Sequence, residues 1–130
     1  MTLPERFRVL VITLSDRASR GEYEDLSGPA VVKHVRGVMA AAGWDCDVET
    51  TIIPDDSKRL HNLITGADGY DLIITTGGTG IGQRDITVDV IRPMLTKEIP
   101  GIMEHIRVKY GMKNPRALIS RAVAGVIGMT

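Results

Sequence analysis

Three apolar runs divide the chain. Residues 8–14 read Arg-Val-Leu-Val-Ile-Thr-Leu, β-branched and without strict alternation, which predicts a strand covered on both faces. Residues 47–53 predict a second strand that ends at Pro54, and residues 71–76 (Asp-Leu-Ile-Ile-Thr-Thr) a third, buried one. Between the runs the period changes. Over residues 29–42, Ala30, Val31, Val35, Val38 and Met39 make an apolar stripe at helical spacing, with Pro29 suited to the first turn and Gly43 to the stop. Ser57 is placed to cap a helix running to Thr65, with Leu60, Leu63 and Ile64 inward. Residues 15–28 are polar and read as a long loop. Thr87 reads as the N-cap of a helix extending to about Lys97, which Pro93 should kink or end. Residues 100–110 read as another helix, stopped by Gly111, and residues 117–130 as one or two short strands.

Strands alternating with helices predict an α/β fold. The sheet should be mostly parallel, with helices on both faces in a three-layer αβα arrangement. Neither an internal repeat nor a linker is visible, so residues 1–130 read as one domain, and that length can bury a core without disulfides.

Composition narrows the function. With 16 basic and 16 acidic residues the formal charge is zero, which removes the main electrostatic warrant for nucleic-acid or acidic-membrane partners. One Trp, one Phe and three Tyr are too few for a base-stacking platform. The single cysteine, Cys46, excludes an intrachain disulfide and a cysteine-cluster metal site. No stretch approaches the roughly 18 apolar residues of a membrane span, and the opening residues lack the pattern of a secretory signal. A cytoplasmic protein is the expectation.

Glycine is the outlier, at 14 of 130 residues, and four of the 14 fall at positions 77, 78, 80 and 82. The segment Thr75-Thr76-Gly77-Gly78-Thr79-Gly80-Ile81-Gly82-Gln83-Arg84-Asp85-Ile86-Thr87 follows a predicted strand and precedes a predicted helix. Ligands of open α/β sheets bind beyond the carboxyl ends of strands, and glycines there let backbone N–H groups approach a phosphate. Two familiar nucleotide motifs fail. Gln83 stands where the dinucleotide fingerprint Gly-x-Gly-x-x-Gly needs glycine, and no Lys follows Gly82 as a P-loop requires. Asp85 lies just past the loop, and two other strand ends carry acids: Ser15-Asp16 after the first and Pro54-Asp55-Asp56 after the second. A parallel sheet puts all three ends on one edge. Asp16, Asp55 and Asp85 are therefore expected to converge beside the glycine loop, as a metal-assisted phosphoryl or nucleotidyl transfer site would need. His34, His61 and His105 have no metal-ligand spacing.

These residues resemble the Mog/MoaB family of molybdenum-cofactor biosynthesis. The resemblance rests on Leu14-Ser15-Asp16-Arg17-Ala18-Ser19 with Gly21, on Asp25 and Ser27-Gly28-Pro29, and on Ile53-Pro54-Asp55. The central run Thr75 to Gly80 with Arg84-Asp85 and Thr87 adds to it, as do Glu98-Ile99-Pro100-Gly101 and Ser120-Arg121-Ala122. It implies a molybdopterin-binding fold, usually trimeric, whose adenylyltransferase members join molybdopterin to AMP with Mg²⁺-ATP and release pyrophosphate. Carried over by motif, Asp55 and Asp85 are the expected catalytic residues, with Asp85 toward Mg²⁺. Ser15, Asp16, Thr76, Gly77, Gly78, Thr79 and Gly80 are expected to bind the substrates, with Ser120 and Arg121 on the pterin or its phosphate. ATP and molybdopterin are the implied substrates, and a homotrimer and a molybdenum-insertion protein the implied partners. The alternative is a non-catalytic MoaB-like protein that only binds molybdopterin or a precursor. Two departures stand out: Val88 replaces the family's usual Pro, and the chain stops at Thr130, before the family's last strand and helix.

Overall fold

A computed structural model describes residues 2–130. Strand β1 (Arg6–Leu14) is the centre of a three-stranded parallel sheet in the order β2-β1-β3, with β2 at Asp45–Ile53 and β3 at Leu72–Thr76. The central place explains the unbroken apolar run: residues Val9 to Leu14 are all buried. Side-chain alternation sends them to two layers. Leu10, Ile12 and Leu14 pack with Ile53, Leu60 and Ile64 on one face. Val9 and Val11 pack with Val35 on the other.

Helix α2 (Ser27–Ala42) covers the second face and α3 (Ser57–Thr65) the first. The connection from β1 runs to β2 on one side, and the next returns to β3 on the other side of β1. Crossovers of one hand taken in opposite directions put their helices on opposite faces, so the three-layer expectation holds. A cleft follows at the carboxyl end of the sheet. The chain leaving β1 heads for α2, and the chain leaving β3 heads for α4 (Thr87–Ile91), whose Val90 and Ile91 join the α3 layer. Where adjacent strands lead to opposite faces, the crevice between them is the usual ligand position.

Several boundaries differ from the sequence reading. The polar stretch 15–28 holds a short helix α1 (Asp16–Ser19), and α2 begins two residues before Pro29. Asp25 accounts for the early start, since its Oδ1 accepts from the amides of Ser27 and Gly28, each at 3.1 Å. Asp56, not Ser57, caps α3, accepting from the Arg59 amide at 2.8 Å. Val38 is exposed and lies off the buried stripe. Helix α4 ends at Ile91, and Pro93 sits in a 3₁₀ turn over Arg92–Met94 because it cannot donate to a continuing helix. Helix α5 spans Pro100–Gly111.

The C-terminal part is less regular than expected. Residues Pro115–Ile119 form a 3₁₀ turn capped by Asn114. Only Gly125–Val126 is a strand (β5), antiparallel to β4 (Lys97–Glu98). Between them residues 120–124 have no regular structure, and their polar groups are used elsewhere.

Candidate functional site

Gly77 is the first residue beyond β3. Its φ is +99°, and a Cβ there would overlap the Leu14 carbonyl, so the chain crosses close over the end of β1. Gly78 follows at φ +69°, against the Thr87 hydroxyl. Both demands select glycine, one for handedness and one for clearance. The reading of Thr87 as an N-cap needs correction, because Ile86 occupies that position without a side-chain cap. Thr87 is buried instead, and its hydroxyl donates back to the Gly77 carbonyl at 2.9 Å while its amide donates to the Gly78 carbonyl at 3.1 Å.

The next two carbonyls are also taken. The Arg121 amide donates to the Thr79 carbonyl at 2.8 Å, and Arg121 Nε to the Gly80 carbonyl at 2.8 Å. Four consecutive carbonyls, 77 to 80, are thus tied to protein donors. Among the described residues, the amides of Gly78, Thr79, Gly80 and Ile81 meet no protein acceptor. In a trans peptide the carbonyl of one residue and the N–H of the next point in opposite directions. Turning carbonyls 77 to 80 into the protein therefore turns amides 78 to 81 away from their anchors. A run of such N–H groups in a glycine loop beyond a strand is an anion-binding arrangement.

The three aspartates do meet around this loop. Asp16 and Asp55 clasp each other's backbone: the Asp16 amide donates to Asp55 Oδ2 at 3.1 Å, and the Asp55 amide to Asp16 Oδ1 at 3.0 Å. That exchange ties the end of β1 to the end of β2. Asp55 Oδ1 lies 3.2 Å from where a Gly78 Cβ would be, so the same carboxylate borders the glycine loop. Asp85 folds back over the loop, where its Oδ2 accepts from the Gly82 amide at 2.8 Å. A Cβ on Gly80 would come within 2.7 Å of that oxygen.

Their environments differ. Arg84 forks onto Asp16, Nε to Oδ2 at 2.9 Å and Nη2 to Oδ1 at 2.8 Å, and holds that carboxyl below the usual carboxylate range. Burial pushes Asp55 the other way, with the Asp16 and Asp85 charges adding and the Asp16 amide opposing. A nest of three metal-binding carboxylates is not what forms. Both Asp16 oxygens are occupied, and among the described residues no group of three or more His, Cys, Asp or Glu could hold a metal ion. Among the described residues, Asp55 Oδ1 and Asp85 Oδ1 have no hydrogen-bond partner. That donor set suits Mg²⁺, which takes one or two carboxylates and completes its shell with substrate phosphates and water.

The remaining expected residues come from three segments of the chain. Thr76 ends β3 opposite Thr13. Ser15 caps α1, accepting from the Ala18 amide at 3.1 Å, and pairs with the Tyr23 hydroxyl at 3.0 Å. Ser120 lies beside Thr79, hydroxyl to hydroxyl at 3.4 Å. Arg121 is heavily committed: besides the loop it donates from Nη2 to the Asp85 carbonyl at 3.0 Å and grips both Asp89 oxygens, each at 3.0 Å. Neither Arg84, quoted above only within the family motif, nor Asp89 was given a site role from sequence, although both sit in the Arg-Asp-x-Thr-x-Asp stretch that follows the loop. Two cavities, about 700 and 520 Å³, lie along α2 and between α3 and α4; neither is lined by residues 77–82. A phosphate site is recognised by converging N–H donors rather than by depth.

The chain is similar to known proteins over nearly its whole length. A family model described as a probable molybdopterin binding domain matches residues 10–129. A protein of Pyrococcus furiosus named molybdopterin adenylyltransferase is 36% identical over 127 residues, 95% of this chain and 71% of that one. A Staphylococcus aureus protein named molybdenum cofactor biosynthesis protein B is 42% identical over 125 residues, 92% of this chain and 71% of the relative. The crystal structure of a tungsten cofactor synthesizing protein, MoaB, from Pyrococcus furiosus superposes with a TM-score of 0.81 at 34% identity, covering 96% of this chain and 76% of that one.

Proposed function

This chain belongs to the molybdopterin-binding domain family, and from that premise we propose that it acts in molybdenum-cofactor biosynthesis as a molybdopterin adenylyltransferase. The reading is supported by the curated relatives of that name, which it matches over most of its length. The observation that carries it to a site is the loop whose carbonyls 77 to 80 are all anchored while amides 78 to 81 have no acceptor among the described residues.

In the proposed reaction a phosphate oxygen of molybdopterin attacks the α-phosphorus of ATP. A P–O bond forms there, the bond to the β-phosphate bridge breaks, and pyrophosphate leaves. No protein nucleophile is needed, so the rate comes from positioning and from neutralising phosphate charge. The amides of Gly78, Thr79, Gly80 and Ile81 would hold phosphate oxygens. They are fixed before the substrate arrives, so they need little reorganisation as charge moves. Asp55 and Asp85 would hold Mg²⁺ through their unpaired Oδ1 atoms, and the cation when bound would neutralise the polyphosphate. Asp16 fixes Arg84 at the rim and ties β1 to β2, keeping Asp55 in place. Thr76, Ser15 and Ser120 would border the pterin.

We further read the protein as a homotrimer working in the cytoplasm and passing its product to a molybdenum-insertion protein. One feature favours assembly: α5 has no buried residue, yet Ile102, Ile106 and Tyr110 recur every fourth position on exposed sites. Among the described residues no helix is long and apolar enough to cross a membrane.

The test is pyrophosphate release from Mg²⁺-ATP with and without molybdopterin. Release that requires molybdopterin is the expected result. Tight pterin binding with no release would replace this reading with a binding-only, MoaB-like one.

A further inference from the structure

The family resemblance implied Arg121 on the pterin or its phosphate, but its donors point to a different task. Of the five N–H groups of a guanidinium, Nε goes to the Gly80 carbonyl, Nη2 goes to the Asp85 carbonyl and Asp89 Oδ2, and Nη1 goes to Asp89 Oδ1. Its own amide takes the Thr79 carbonyl. One residue from the irregular segment 120–124 therefore holds two carbonyls of the glycine loop and the Asp85 carbonyl just past it. Asp89, in the first turn of α4, grips the guanidinium from behind. That pairing is an exposed ion pair, since Asp89 is 62% exposed, and such pairs add little to stability by themselves. Its geometry is nevertheless bidentate, which fixes the guanidinium plane and hence the direction of Nε.

We propose that Arg121 is a positioning residue that aims the amides of Gly80 and Ile81 at the substrate phosphate, with Asp89 holding its guanidinium in plane. The planar trans peptide transmits the effect. Taking the Thr79 carbonyl turns the Gly80 amide the opposite way, and taking the Gly80 carbonyl does the same for Ile81. Thr87 performs the equivalent task for Gly78 and Thr79 through the carbonyls of Gly77 and Gly78. The cradle thus has two halves with separate anchors: one beside it in sequence, the other some forty residues along the chain. Lys cannot replace Arg121. A single ammonium cannot reach two carbonyls and a carboxylate in the fixed fork that guanidinium offers.

This inference rests on the phosphate-cradle reading, and its test has one arm that does not. ¹⁵N relaxation on the ligand-free protein gives backbone order parameters along the loop. Arg121→Lys keeps the residue 121 amide on the Thr79 carbonyl but removes Nε from the Gly80 carbonyl, so it should lower the order parameter of Ile81 from about 0.85 toward 0.6 or below. Gly78, Thr79 and Gly80 should stay rigid, as should β1. Thr87→Val keeps its amide on the Gly78 carbonyl but loses the hydroxyl from the Gly77 carbonyl, so it should loosen Gly78 instead. Asp89→Asn should act in the same direction as Arg121→Lys, more weakly, and add nothing when combined with it. Calorimetry with Mg²⁺-ATP is the second arm, where Arg121→Lys should weaken binding about tenfold or more. Loss of ATP affinity with unchanged order parameters would overturn the proposal and make Arg121 a direct ligand contact. Loosening spread evenly through β1 would overturn it in favour of a merely structural role. If the wild-type protein binds neither ATP nor molybdopterin, the cradle reading fails, while the relaxation pattern still decides what Arg121 holds.

Discussion

Gly78 offers the sharpest quantitative check on the loop. Two costs are expected when it becomes alanine. Its φ of +69° is left-handed, which charges an L-residue about 1–2 kcal/mol. The new methyl would also strike the Thr87 hydroxyl, which is buried and bonded to the Gly77 carbonyl. Displacing that hydroxyl leaves buried polar groups unpaired, for about 1–3 kcal/mol more. Gly21 is the matched control, because its φ is +71° and a Cβ there meets nothing within 4 Å. Gly21→Ala should therefore show the backbone cost alone. The entropy gained by stiffening the unfolded chain is common to both variants and cancels in the comparison. The expected gap is about 1–3 kcal/mol, read by urea unfolding as a midpoint difference on the order of 1 M at a slope typical of small domains. A double-mutant cycle isolates the contact: in a Thr87→Ala background, Gly78→Ala should lose most of its excess over Gly21→Ala, keeping only the part due to the 3.2 Å approach to Asp55 Oδ1. Equal losses for the two single variants would refute the close packing of Gly78 on Thr87, and with it the anchoring of the first half of the cradle.

Other expectations follow from the acids. Asp55→Asn should leave the melting temperature at pH 7 unchanged or higher, because burial disfavours the charge and Asn can still accept from the Asp16 amide; pyrophosphate release should nonetheless fall by at least tenfold. A clear drop in melting temperature would show that the charge itself is structural. Asp85→Asn should remove most turnover and leave pterin affinity intact, measured on the same sample by pyrophosphate release and calorimetry; undiminished turnover would remove Asp85 from the site. The pH dependence has a definite sign. The Arg84 guanidinium lowers the folded-state pKa of Asp16, so its stabilising contribution is present above the ordinary carboxylate value and is lost as pH falls through the lowered one. The melting-temperature gap between wild type and Asp16→Asn should thus be constant near neutrality and narrow below pH about 4. A gap that widens in acid would contradict the pairing.

The strands and the main helices were legible because each obeys a local rule. Residues 8–14 are apolar at every position but the first and the Thr, as a strand covered on both faces must be. The left-handed backbone that ends α2 at Gly43 is a demand that glycine meets at no cost in Cβ clash. The end of the chain misled for the opposite reason. Residues 117–130 look like strand in composition, yet Ser120 and Arg121 spend polar groups on a loop some forty residues earlier, and no local period records that. Thr87 shows the same limit. Beside a helix start a threonine looks like a cap, but its hydroxyl had a buried carbonyl within reach, and only the fold brings the two together.

What the sequence determined by itself was the chemistry on offer: a glycine loop after a buried strand, and an acid at each of three strand ends. Parallel pairing then requires those ends to share an edge, so their meeting was predictable from topology. The tertiary structure decided what each group does once there. It gave both oxygens of Asp16 to Arg84 and the Asp55 amide, left one oxygen on Asp55 and one on Asp85, and turned four carbonyls inward so that four amides face away from them. Those choices depend on partners as far as 68 residues apart in the chain, and hydrogen-bond direction over such separations is a property of the packed fold, not of any segment within it.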